Sequence, residues 1–293
     1  VGGLVRLCEL LCAMRGLSLP LCAALARGAA LRPAFAPVCR TGLLRGVVSP
    51  DDTGGAKPPA EPPRLMLLSS GLTTPELEAT FRGMLHEAGA GADPCITMVV
   101  TGQMTPSNEA SPPDGASERK PKSAGEKRRR RWYEARKKGR LLGAQLGVEV
   151  RCVDCAQTQG AELERELEGA RCIWVTGGNT FFLLQHMRSS GLDRLIRSRV
   201  AAGALYVGCS AGAIVAGRSA ATALWKGWDD PTAASGTDWS DPQSLQGLGL
   251  AAGHSFFPHY EPQWSEMVRS RRGELDHPLV CLEDLGDAFI SPR

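Results

Sequence analysis

Ala204-Leu205-Tyr206-Val207-Gly208-Cys209-Ser210-Ala211-Gly212-Ala213-Ile214 is the stretch on which the fold turns. Its first half is apolar, as expected of a strand buried on both faces of a parallel sheet. Small residues then open a helix over Ala211–Ala216. A strand that turns at once into a helix through G-x-S-x-G has the character of a nucleophile elbow. Ser210 would occupy the sharp turn, with its hydroxyl above the sheet edge. Small residues at 208 and 212 let neighbouring backbone pass without clash. The helix start places a positive dipole beneath the hydroxyl, and the Ala211 N–H points to where an oxyanion would form. Cys209, one residue earlier, would point back into the sheet. A lone G-x-S-x-G arises by chance, and its weight here comes from the strand before it and the helix after it.

Outward from this elbow the chain alternates strand and helix. Leu65–Leu68, Cys95–Val100, Val148–Val153 and Cys172–Val175 read as further strands. Thr74 and Pro75 signal a helix start, and Leu77, Phe81, Met84 and Leu85 follow at helical spacing. Helices are also expected over Ala161–Ala170 and Phe181–Arg199, and a strand over Leu248–Ala252. Such alternation predicts an α/β fold, a mainly parallel sheet with helices on both faces.

A serine nucleophile needs a base, and histidine is the usual one. Of the five histidines, His86 and His186 fall inside amphipathic helices and His277 in a polar turn before Pro278. His254 and His259 follow the nucleophile, and residue chemistry alone does not separate them. Two regions offer an acid to orient the base: Asp229-Asp230 in a Trp-rich loop, and Glu283-Asp284 after the apolar run Leu279–Leu282. Strand ends hold side chains more rigidly than loops, which favours the second. Gly177-Gly178-Asn179-Thr180, at the end of the preceding strand, offers a free backbone N–H beside Ser210 as a second oxyanion donor. The same turn also reads as an ordinary helix start capped by Asn179 or Thr180.

The motifs Gly177-Gly178-Asn179-Thr180-Phe181, Gly208-Cys209-Ser210-Ala211-Gly212 and Pro258-His259-Tyr260, in this order, resemble peptidase family S51, which contains dipeptidase E and cyanophycinase. The resemblance covers roughly Arg64 to the C-terminus. It implies a class I glutamine amidotransferase-like fold and a Ser–His pair that cleaves short peptides. It selects His259 as the base, matches Gly177 and Gly178 to the family's Gly-rich turn, and supports Glu283 or Asp284 while keeping Asp230 in play. The expected order for the acid is Asp284, Glu283, Asp230. Cys209 stands where the family often has Trp, and Leu224–Pro231 departs from dipeptidase E, so chemistry transfers better than specificity. The rivals are an α/β-hydrolase-type carboxylesterase and a catalytically inactive binding homologue.

Composition bounds the rest. Residues 1–50 hold six Arg, no Lys and one acid, Glu9, which resembles an organelle transit peptide. Residues 49–63 are a Pro-rich linker. Residues 1–63 are therefore expected to be a disordered leader and linker, with the hydrolase domain over 64–293. A disordered insertion is expected at about 105–127. Residues 118–140 carry twelve Lys/Arg against three Glu, in a chain of formal net charge +3, so the remainder is acidic. With no nucleic-acid module recognisable, the run Lys127–Arg131 is best read as a solvated helix start rather than a nucleic-acid site. The ten cysteines, mostly in apolar runs, read as free thiols of a reducing compartment. Cys152 and Cys155 form a C-x-x-C with no second pair, which argues against a metal or redox site. No apolar run reaches the roughly 18 residues of a membrane span. The expectation is a soluble intracellular protein, in a plastid or mitochondrion if the leader is real, needing no cofactor or metal and acting on a small peptide.

Overall fold

The computed structural model describes residues 62–89, 95–106, 123–251 and 253–291. The leader and linker expected over 1–63 lie outside them except for Pro62 and Pro63, as does most of the expected insertion.

Strands β1 (Leu65–Leu68), β2 (Cys95–Val99), β3 (Glu149–Val153), β4 (Cys172–Val175) and β5 (Leu205–Cys209) pair in parallel in the order β3-β2-β4-β5-β1. Strands β6 (Ser255–Phe257) and β7 (Leu279–Cys281) form a separate parallel pair. Strand β8 (Ala288–Ile290) adds antiparallel to β1. Alternate strand residues enter two cores. Leu65, Leu67, Val99, Ile173, Val175 and Tyr206 meet helices α4 (Thr180–Ser190), α5 (Leu192–Ala201) and α6 (Ala211–Ala216). Met66, Leu68, Ile96, Met98, Trp174 and Val207 meet α1 (Pro75–Ala88) and α2 (Ala124–Leu146) on the other face. The short helices α3 (Gly160–Glu166) and α7 (Ser265–Arg271) complete the set.

Local chemistry accounts for the elements. The Thr74 hydroxyl accepts from the Leu77 N–H and caps α1. In α2, of which most side chains are charged or exposed, Ala135, Gly139, Gly143 and Leu146 form the buried stripe. A Cβ at Gly143 would lie 2.7 Å from the Val148 carbonyl oxygen, so glycine lets this helix press onto the β3 side of the sheet. The basic run Lys127–Arg131 lies within this helix.

Three expectations need correction, and strand β8 is an addition to them. Residues 123–127 are not part of an insertion: Ser123 and Glu126 form a capping box that starts α2. The helix expected over Phe181–Arg199 is two helices, because Gly191 takes a left-handed φ of 81° between them. Leu248–Ala251 is not a strand. Its N–H groups at Leu248, Gly249 and Leu250 bond instead to the carbonyls of Val215, Gly217 and Ala216, at the end of α6. Ala252 lies outside the described residues. Strand β8 has too short an apolar run to stand out in the sequence. Among the described residues no helix is long and apolar enough to cross a membrane.

Candidate active site

Strand β5 delivers Ser210 to the carboxyl edge of the sheet, where α/β proteins bind ligands. Ser210 has φ 52° and ψ −112°, outside the regions that side-chain-bearing residues favour. Its N–H is held by the Leu68 carbonyl at 2.9 Å, and its own carbonyl accepts the first bonds of α6 from Ala213 and Ile214. The flanking glycines are steric necessities. A Cβ at Gly208 would meet the Gly212 carbonyl oxygen at 2.5 Å, and one at Gly212 would meet that of Val175 at 2.2 Å. Cys209 is buried against the opposite core, and burial pushes its thiol up to about 12.

Among the described residues the other non-glycine with positive φ is His259, at 54°. Such backbone costs about 1–3 kcal/mol per residue and persists only where the surroundings hold it. Both instances face one another: His259 Nε2 lies 2.8 Å from Ser210 Oγ, and Nδ1 lies 2.6 Å from Asp284 Oδ1. Asp284 follows β7 and accepts further hydrogen bonds from the hydroxyls of Ser69, at 2.7 Å, and Ser70, at 2.6 Å. Ser69 Oγ also accepts from the His259 N–H at 2.6 Å. The three groups therefore form one line, anchored from the end of β1.

Burial pushes the Asp284 carboxyl up, but hydrogen bonds from His259, Ser70 and Ser69 together outweigh it and hold the group well below the usual carboxylate range. A carboxyl depressed on folding adds stability that is present above its unfolded value, near pH 4, and lost as pH falls toward the folded one. Urea unfolding of the wild type and Asp284→Asn should therefore show a gap at pH 7 that narrows below about pH 4. A gap that widens on acidification would contradict this assignment of charge.

The remaining expected residues divide clearly. Gly177 runs beside the nucleophile, since a Cβ there would lie 3.0 Å from that of Ser210. Ala211 is the first residue of α6, and the first-turn N–H groups of a helix have no partner within it. Gly178, with φ 121°, packs on the Gly102 backbone, where a Cβ would come within 2.2 Å. Asn179 caps α4 through the Phe182 N–H and donates to the Asp230 carbonyl. This is the helix cap that the sequence offered for the residue. Glu283 is exposed, and its N–H is tied to Asp287. Asp230 turns its carboxylate to Thr232 and caps the turn at Pro231–Ala233. Neither is brought to His259. His254 bonds to the Ala251 carbonyl instead.

A second Ser–His–Asp line exists. Ser255 Oγ lies 2.6 Å from His277 Nε2, and His277 Nδ1 lies 2.6 Å from Asp276. Ser255 is fully buried and also bonds to the Ser219 backbone, so this line fastens β6 and offers no attacking oxygen. Cys152 and Cys155 are both free thiols; burial pushes Cys155 up to about 11. Among the described residues no group of three or more His, Cys, Asp or Glu could hold a metal ion.

Sequence reasoning missed Ser69, Ser70, Lys226 and Trp228, and offered Asp229 only as part of an acidic pair that could orient the base. The Asp229 carboxylate, which burial pushes up, accepts from the Thr180 N–H at the start of α4. The Trp228 ring lies 5.8 Å from that of His259 and is 54% exposed. A signal for the serines was available: a polar pair straight after the four apolar residues of β1, at the sheet edge. Pairing of Leu68 with Cys209 then sets Ser69 opposite Ser210.

Comparison with known proteins bears on the family and on the fold. The family description of peptidase family S51 matches residues 123–284. An uncharacterized peptidase of Listeria monocytogenes is 47% identical over 70 residues, 24% of this chain and 34% of that protein. Peptidase E of Pasteurella multocida is 43% identical over 79 residues, 27% and 32% of the two chains. The matched stretches span about a third of these relatives' lengths. Among solved structures, a peptidase from an acI-B1 Actinobacterium superposes with a TM-score of 0.54 at 16% identity, over 79% of this chain and 88% of that one. A peptidase E candidate from Listeria monocytogenes gives 0.50 at 22%, over 79% and 98%. The fold is the α/β, class I glutamine amidotransferase-like architecture that the motifs implied. As the match to residues 123–284 covers more than half of its length, the chain belongs to peptidase family S51.

Proposed function

We propose that the chain is a serine peptidase that hydrolyses short peptides in the manner of dipeptidase E, through an acyl-enzyme on Ser210. The observation that carries the reading is the unbroken line from Ser210 Oγ through His259 to Asp284, at 2.8 and 2.6 Å. His259 Nε2 takes the hydroxyl proton as Ser210 attacks the scissile carbonyl, and later gives it to the leaving amine. Asp284 accepts from Nδ1–H, which fixes the tautomer and stabilises the imidazolium that forms. Backbone N–H groups at Gly177–Gly178 and Ala211 are the candidate donors to the oxyanion. Water then repeats the sequence on the acyl-enzyme. No metal or cofactor is required by these steps.

Ser210 and His259 lying apart would favour the inactive-homologue reading, and they are within hydrogen-bond reach. The carboxylesterase reading needs a different fold. The full-length chain should cleave members of a dipeptide panel with varied first residue and leave a chromogenic ester largely untouched. Preference for the ester, or no turnover of any peptide, would overturn the reading.

A further inference from the structure

We propose that Lys226 is the positioning residue of the base: its ammonium clamps the backbone bulge that presents His259 to Ser210. The argument begins with hydrogen-bond accounting, because buried carbonyls need partners. On the β6 side the ladder to β7 is regular up to Phe257, whose carbonyl accepts from the Leu282 N–H. It resumes at Tyr260, whose N–H donates to the Leu282 carbonyl. Pro258 and His259 are the two residues between these bonds, and they bulge from the strand. Pro258 has no N–H, and that of His259 goes to Ser69. Two carbonyls remain. Lys226 Nζ donates to both, to Pro258 at 2.8 Å and to His259 at 2.6 Å.

The cation is also set among aromatic rings. Nζ lies 4.3 Å from the ring centres of Trp228 and Phe257 and 5.2 Å from that of Trp264. Ring faces attract the ammonium in place of water, which strengthens its bonds to the two carbonyls. Trp228 packs in turn on the His259 ring and edge-on to Trp264. One ammonium therefore fixes the left-handed backbone of the base and the indole beside its imidazole. Without it, two carbonyls lose their donor and the φ of 54° loses the restraint on its C-terminal side. The ring then departs from the line between Ser210 and Asp284. Lys226 touches no reacting atom and acts through His259.

The test uses the full chain and two readouts, of which only the kinetic one rests on the peptidase reading. Lys226→Met keeps the apolar stem and removes the charge. It should lower kcat by about 10–100-fold with little change in KM, the effect of losing charged hydrogen bonds that align a catalytic group. Lys226→Arg restores a cation with donors and should recover most of the loss. Long-range 1H–15N spectra of the histidine rings should show one fixed tautomer for His259 in the wild type and averaged signals in Lys226→Met. If Lys226→Met does not fold, Lys226→Gln, which loses the charge but keeps an amide donor, replaces it. A folded variant with unaltered His259 signals overturns the proposal, as does one whose kcat matches the wild type. Absence of peptide turnover in the wild type would sink the peptidase reading alone, and the ring spectra would still decide the role of Lys226.

Discussion

Ser210→Ala is expected to reduce peptide turnover by about 10³-fold or more, while Cys209→Ala leaves most of it. The pairing matters because thiolates can attack from similar elbows, and the two residues are adjacent. Three observations separate them. Ser210 Oγ is 2.8 Å from His259 Nε2. Cys209 belongs to the core on the other side of the sheet, with Trp174 and Val207. Burial pushes its thiol up to about 12, so almost none is thiolate near neutrality. Removing the hydroxyl leaves His259 nothing to activate. Removing the thiol costs some packing and some thermal stability, but no chemistry. The check is steady-state hydrolysis of the best dipeptide by both variants, with thermal melts to show that each folds. An active Ser210→Ala beside an inactive Cys209→Ala would reverse the assignment.

Much of this site was legible because the elbow is a local device. A strand, a serine between small residues and a helix start are neighbours in sequence, and their sterics are written in the glycines at 208 and 212. The parallel strands were legible for a related reason: residues buried on both faces leave continuous apolar runs, and Leu65–Leu68 and Cys172–Val175 have the predicted bounds. Contacts across the chain left weaker traces. Ser69 and Asp284 are separated by 215 positions and meet only because β1 lies beside β5 and the segment after β7 returns to that edge. Asp229 and Asp230 looked equivalent to Glu283 and Asp284 as charges. What separates them is which donors lie within reach, Thr180 and Thr232 for the first pair and His259 for Asp284. Lys226 carries no local signal at all. Its role follows from two carbonyls 32 and 33 positions away that have no strand partner.

Asp284→Asn should cut turnover by about 10²–10⁴-fold, whereas Glu283→Gln and Asp230→Asn should stay within about twofold of the wild type. Asparagine keeps the shape of the side chain and can still accept from Ser69 and Ser70. It cannot supply the negative charge that stabilises the imidazolium, and in the flipped orientation, in which the serines lose their acceptor, an amide NH2 toward Nδ1 holds the wrong tautomer, leaving Nε2 protonated and unable to accept from Ser210. The loss should therefore fall on kcat, with a folded protein and near-normal substrate binding. Glu283 is exposed and engages Asp287 through its backbone N–H, which the amide does not alter. Asp230 caps the turn at Pro231–Ala233, a task asparagine performs about as well. Measuring all three variants against one dipeptide makes the contrast internal. Full activity in Asp284→Asn together with collapse in Asp230→Asn would move the acid to the loop after the nucleophile helix, and would mean that the 2.6 Å contact between Asp284 and His259 is structural.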